Sequence, residues 1–375
     1  MRRGNGKQTG QDARRQNRQL VLRIAFESGA TSRADVARIT GLTRATASDI
    51  VRGLAAEGYL AEVGTGESTG GKPPTLYSFQ AGARTIVTLD LSRQPFSGAI
   101  HDLRGAVLHR RGLRTAGLTG EAALERSVDL AARLAEASPA PVLGIGVGAP
   151  GVVDPEGVVL RSTNLGWRDM PLAEAIRSRT GYPTHVGNDT SLAALAEFGR
   201  KDDRADNLIL VEISDGIGAG IVLNGAIHRG EASASGEIGH LVAVADGRVC
   251  TCGKRGCLET VASIPSIVAA AGVASADELA SNRPEIRRAV LTAAGHVGRV
   301  LASAVAILDV HHVVLAGPLS IYDGEFAEAV RSAIADRVLD QIAGDVTTTW
   351  TKYGDDIVLA GAALHVLRSE LGIPW

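Results

Sequence analysis

The chain has 375 residues, 45% hydrophobic and 21% charged, enough for more than one domain around a sizeable core. Its net charge of −2 conceals a split: residues 1–75 carry 12 Lys and Arg against 7 Asp and Glu, the remainder 27 against 34. A basic front on an acidic body points to an anionic partner for the N-terminal part. No stretch approaches the roughly 18 apolar residues of a membrane span, and no small-residue cleavage site follows the basic start, so a cytoplasmic protein is expected.

In chain order, residues 1–14 read as a disordered basic tail, and residues 15–80 as a DNA-binding unit. RQNRQLVLRIAF fits a helix that Gly29 ends. Ser32 and Asp35 look like a capping pair for a second helix with Val36 and Ile39 on its apolar face and Gly41 as its stop. Thr43 caps a third, with Ala47, Ile50, Val51 and Leu54 facing inward. Helix, Gly-containing turn and helix make a helix-turn-helix, and the outward residues Arg44, Ala45, Thr46 and Ser48 are suited to base edges and phosphates. YLAEVGTGESTGGKPPTLYSF then reads as a hairpin wing, with Lys72 in its GGKPP tip as a minor-groove hook. The alternative is a three-helix bundle with an exposed charged face.

After residue 80 the texture changes. TIVTLDL, FSGAIHDL and GAVLHRR read as a meander of three strands, followed by helix over roughly 120–137 and a buried strand VLGIGVGAP. LILVEIS, GIGAGIVLNG and AIHRG form a second meander. HHVVLAG and GDDIVLAGAALHVLRSEL read as strand-Gly-helix units. Two such sets suggest an α/β protein of two similar lobes with a cleft between them.

All three cysteines fall in one stretch, GEIGHLVAVADGRVCTCGKRGCLE. His240, Cys250, Cys252 and Cys257 follow the pattern H-x9-C-x-C-x4-C. Three thiolates and one imidazole are a tetrahedral zinc set closed to further ligands, so one structural Zn2+ per chain is expected; small buried or redox cysteines are the alternative. Three clustered cysteines in a chain of this size do not make a disulfide framework. The staple would fix Glu237 and Glu259 near each other, and the second ring nitrogen of His240 would remain free for a hydrogen bond.

This stretch resembles the signature of the ROK family of repressors and sugar kinases. VGAPGVVD (147–154), RSTNLGW (161–167), GNDTSLAALAE (187–197), DGIGAGIVLNG (215–225) and VVLAG (313–317) extend the resemblance. It implies an actin/hexokinase-like (ribonuclease H-like) two-lobed sugar-binding domain over 81–375, behind the winged helix-turn-helix. The small lobe would be about 81–193 plus 360–375, and the large lobe, with the zinc loop, about 194–359. The implied sugar site is Asn164, Asn188, Asp189, Glu237, His240 and Glu259, where carboxylates and amides bind vicinal hydroxyls in pairs. Asn188–Asp189 also reads as a plain helix N-cap.

In kinases of the family, the residue matching Asp189 is the general base, and a D-x-G-G-T-K loop approaches the phosphates. Here the loop is Asp90-Leu91-Ser92-Arg93-Gln94-Pro95, with both glycines replaced and a proline lacking an N–H. Asp215 brings a negative charge to the second phosphate loop. The expectation is therefore a non-enzymatic, sugar-responsive repressor in which Asp189 serves as a sugar ligand. It would bind an inverted-repeat DNA operator as a homodimer or homotetramer and respond to a sugar or sugar phosphate. The alternative is a bifunctional ATP-dependent sugar kinase that also binds DNA.

Overall fold

A computed structural model describes residues 10–67, 73–114, 117–200, 206–281, 283–318 and 324–373. The first helix, α1 (Gly10–Ser28), starts inside the segment expected to be a disordered tail, because GQDARRQN contains no proline or β-branched residue to stop it. After it come β1 (Ala30–Ser32), α2 (Arg33–Thr40) and α3 (Arg44–Ala56). Ser32 and Asp35 form the capping box, Gly41 closes α2 at φ 72°, and Thr43 Oγ1 accepts from Thr46 N at 3.2 Å. The buried stripe of α2 runs through Val36 with Ala37 and Thr40 partly covered, which leaves Ile39 53% exposed, not on the inner face as expected. On α3, Ala47, Val51 and Leu54 are buried, and Ile50 is half-buried.

A hairpin of β2 (Leu60–Thr65) and β3 (Thr75–Phe79) follows, and β1 joins its far side in the order β1-β3-β2. Lys72 lies outside the described residues.

The next lobe runs β4 (Thr85–Asp90), β5 (Phe96–Asp102), β6 (Val107–Leu113), α4 (Gly120–Glu136), β7 (Val142–Ala149), β8 (Val152–Val153), β9 (Val159–Ser162), β10 (Trp167–Met170), α5 (Leu172–Thr180) and β11 (Thr184–Asn188). Its main sheet has the order β11-β7-β4-β5-β6. α6 (Asp189–Phe198) leads to the second lobe, with β12 (Leu208–Ile213), β13 (Ile217–Leu223) and β14 (Ala226–Ile227). There follow α7 (Glu259–Ala262), α8 (Ile264–Ala271), α9 (Pro284–Leu308), β15 (His312–Ala316), α10 (Gly324–Ala335), α11 (Asp340–Ala343), β16 (Thr347–Trp350) and α12 (Ile357–Leu371). The second sheet, β14-β13-β12-β15-β16, repeats the first: an antiparallel meander extended by two parallel strands. The two-lobed expectation therefore matches the strand order.

Two further segments differ from the expectations. IVLAGAALHVLRSEL is helix throughout, with no strand before the glycine. Its apolar residues go almost all round because α12 is covered by α6 on one side and by β4 and β7 on another. A short apolar run of that kind carries no period to separate helix from strand. Second, α9 is, by length and composition, apolar enough to cross a membrane, contrary to the sequence expectation. In the fold its stripe of Val290, Ala294, Val297, Leu301 and Val305 is buried in the core of the second lobe.

The head is not a loose appendage. Val21, Leu22 and Phe26 of α1 share one apolar cluster with Val366, Leu367 and Leu371 of α12. On its other side, α12 meets α6 so closely that a Cβ on Gly361 would stand 1.8 Å from the Leu192 carbonyl oxygen. Gly361→Ala is therefore expected to destabilise the protein by about 3 kcal/mol, since overpacking forces the backbones apart. Gly53→Ala on α3, where a Cβ meets nothing within 4 Å, is expected to stabilise it by about 0.5–1 kcal/mol. Denaturant unfolding of both variants measures the contrast.

Candidate functional site

The cysteine loop folds back on itself between Leu241 and Leu258, whose backbones bond at 2.8 Å. Gly256, at φ 72°, makes the return possible: a Cβ there would stand 1.7 Å from the Val244 carbonyl oxygen. This brings one ligand atom each from His240, Cys250, Cys252 and Cys257 within 4.8 Å of one another. The Cys252 and Cys257 sulfurs are 3.6 Å apart, and the Cys250 sulfur is 3.6 Å from His240 Nδ1. Ligands held about 2.0–2.3 Å from a tetrahedral ion stand roughly 3.3–3.8 Å from each other, so the four residues can hold a metal such as zinc. Burial and the crowding of sulfurs push the Cys257 thiol up to about 12, whereas the backbone N–H of Lys254 pulls Cys252 down. A bound cation removes that conflict by holding the sulfurs as thiolates.

With Nδ1 turned to the sulfurs, His240 directs Nε2 to the other side, 3.9 Å from a Glu237 carboxylate oxygen. That side is a cleft of about 330 Å³ between the lobes. All six residues expected at the sugar site line it: Asn164, Asn188, Asp189, Glu237, His240 and Glu259. Glu259 heads α7 directly behind the metal loop, and its carboxylate accepts from Ile217 N at 3.4 Å. Burial raises the Glu237 carboxyl, and Glu259 adds to the rise against the pull of His240.

Asn188 and Asp189 sit where β11 turns into α6. Asn188 Oδ1 accepts from Ser191 N at 2.9 Å and from Thr190 Oγ1 at 2.8 Å. Its Nδ2 donates to the Gly151 carbonyl at 3.0 Å and to Asp189 Oδ1 at 2.9 Å. These bonds use both acceptor and both donor capacities of the amide, so Asn188 acts as an N-cap and holds Asp189 in place. Asp189 itself is held well above the usual carboxylate range by burial and then by the nearby Glu212 charge.

The loop between β4 and β5 has a geometry of its own. Ser92 N and Oγ donate to Asp90 Oδ1 at 2.9 and 2.6 Å. Arg93 crosses to the other lobe, bonding Glu212 on β12 at 2.8 Å and Asp355, just before α12, at 2.6 Å. Arg110 on β6 reaches Asp356 beside it. Glu212 lines the cleft, yet nothing in the motif reading singled it out. Asp215 is exposed at the turn between β12 and β13.

The profile of the ROK family matches residues 86–369. The chain belongs to the ROK family. The xylose repressor of Caldicellulosiruptor bescii is 28% identical over 387 aligned positions, covering 96% of this chain and 97% of that protein. A solved ROK family transcriptional regulator, a homologue of the Escherichia coli Mlc protein, superposes with a TM-score of 0.83 at 23% identity and covers 96% of each chain. The ROK hexokinase of Thermus thermophilus superposes with a TM-score of 0.61 at 30% identity, covering 97% of that enzyme but 75% of this chain. The xylose repressor of Caldicellulosiruptor bescii and the Mlc homologue thus match over the N-terminal head as well, which precedes the first residue matched by the family profile.

Asp90 offers a test of the cleft electrostatics. Burial pushes its carboxyl up to about 6; the Ser92 bonds oppose the rise and the Glu212 charge adds to it. The folded ROK chain therefore holds this proton more tightly than the unfolded chain. Its contribution to stability is present at pH 4 and lost as pH rises through about 6, a change of about 3 kcal/mol. Asp90→Asn should flatten the dependence of unfolding free energy on pH in that window, measured as the difference between parent and variant.

Proposed function

We propose that the chain is a sugar-responsive transcriptional repressor acting in the cytoplasm. The observation that carries this reading is the presence in one chain of the helical head and the polyhydroxyl-type cleft, in the arrangement that spans the xylose repressor end to end. The head functions as a winged helix-turn-helix, with α3 lying in the major groove and Arg44, Ala45, Thr46 and Ser48 facing the DNA. Arg44 and Ala45 are exposed on its first turn, as such contacts require. Pairing of two half-sites of an inverted repeat calls for a homodimer or a homotetramer.

In the cleft, Asp189, Glu237 and Glu259 accept hydroxyls, His240 Nε2 and Asn164 complete the polar set, and Asn188 positions Asp189. One zinc ion per chain, held by His240, Cys250, Cys252 and Cys257, supplies a rigid staple for Glu237, His240 and Glu259 and takes no part in chemistry. A change at the N-terminus of α6 passes to α12 through the Leu192–Gly361 contact and on to α1 through the shared apolar cluster. Sugar and operator then affect each other's binding equally, typically by about 1–3 kcal/mol.

Kinase activity is opposed by the loop at Ser92, Arg93 and Pro95 and by Asp215. Side chains stand where a glycine backbone would approach phosphate, and Arg93 is committed to Glu212 and Asp355. Asp189 and Asp90 favour a sugar kinase that also binds DNA, and ATP turnover with a panel of hexoses tests it.

The direct test is titration of DNA upstream of the chain's own gene with zinc-loaded protein, with and without sugars. Complex formation and a shift with one sugar are expected; binding that no sugar alters would overturn the sensor. Arg44→Ala should weaken the complex about tenfold, in the range of a lost base or phosphate contact. Cys252→Ser should lower bound zinc and abolish the sugar response while DNA binding persists. A normal sugar response in Cys252→Ser would show that the staple is not needed for sensing.

A further inference from the structure

We infer that Glu212, fixed by Arg93, is a specificity-determining residue of the cleft that accepts a hydroxyl from an uncharged sugar and turns away phosphorylated sugars. This rests on the sugar-sensor reading above. Glu212 is 3% exposed, lines the cleft, and uses only one carboxylate oxygen, Oε1, on Arg93. Among the described residues, Glu212 Oε2 has no hydrogen-bond partner, and neither does Arg93 Nε. The bonded pair thus leaves one buried acceptor without a partner on a residue that lines the cleft. A sugar hydroxyl can donate to Glu212 Oε2, whereas a phosphate dianion has no proton to give and meets Glu212 as a like charge.

The surroundings favour the neutral ligand. Asp189, Glu212, Asp215, Glu237 and Glu259 all line the same cleft. Of the nearby cations, Arg93 has both outer nitrogens committed, one to Glu212 and one to Asp355. Lys254 belongs to the cysteine loop, where its charge acts on Cys252, and Arg161 lines another part of the cleft. A phosphate dianion entering here would be desolvated among carboxylates, whereas a neutral hydroxyl gains charge-assisted bonds from them.

The experiment is isothermal titration of full-length, zinc-loaded protein with xylose, glucose and N-acetylglucosamine, and with glucose 6-phosphate and N-acetylglucosamine 6-phosphate. At least one uncharged sugar should bind tenfold or more tighter than either phosphate ester. Glu212→Gln should shrink that preference at least tenfold, a ratio that general loss of structure would not move. A phosphate ester that equals or exceeds the uncharged sugars on the parent protein overturns the inference without any variant. An unchanged preference in zinc-replete Glu212→Gln also overturns it. If none of the five compounds binds, the sugar-sensor reading fails and this inference falls with it.

Discussion

The close approach of α6 and α12 is the constraint on which the rest of the molecule depends. The two helices lie between the sheets, and each contact surface is a place where a side chain would not fit. A Cβ on Gly361 would strike the Leu192 carbonyl, one on Gly146 the Ala362 carbonyl at 2.4 Å, and one on Gly220 the Thr190 carbonyl at 2.1 Å. Packed backbones of this kind deform little, so the two helices move as units. α6 carries Asp189 into the cleft at one end, and α12 carries the head on its outer face. The distance between the cleft and the N-terminal head is therefore spanned by closely packed elements.

Charge organises the cleft as tightly as packing organises the helices. Buried carboxylates repel each other, and Asp90 and Asp189 are both held above their ordinary range. Arg93 is what makes the concentration of acid tolerable, since it ties the first hairpin to β12 and to the residue before α12. Under the proposed reading the same guanidinium also opposes phosphate binding, so one arginine would disfavour a nucleotide and hold the acidic wall that a neutral ligand would use.

How much of this was legible in the sequence depended on whether the signal was local. The metal set was readable because one histidine and all three cysteines of the chain fall within 18 positions. Caps and stops at Ser32, Gly41 and Thr43 were readable because the cap is made by neighbouring residues. The strand β1 was not, since three residues carry no period. The start of α12 reads as a strand because a helix buried almost all round keeps little of a polar face. The Arg93–Glu212 pair joins residues 119 positions apart, so only the folded chain shows that the two belong to one wall. Asn188 was readable as a cap and as a site residue; its four bonds make the cap the cause and the placement of Asp189 the consequence.

Under the proposed function, the cleft and the head communicate through α12. Hydrogen exchange of backbone amides, with and without the sugar that shifts operator binding, tests it most directly. Sugar should change exchange in α6, along α12 from Gly361 to Leu371, and in the α1 segment around Val21 to Phe26. Changes confined to the loops lining the cleft, with α12 and α1 unaltered, would contradict transmission by this route.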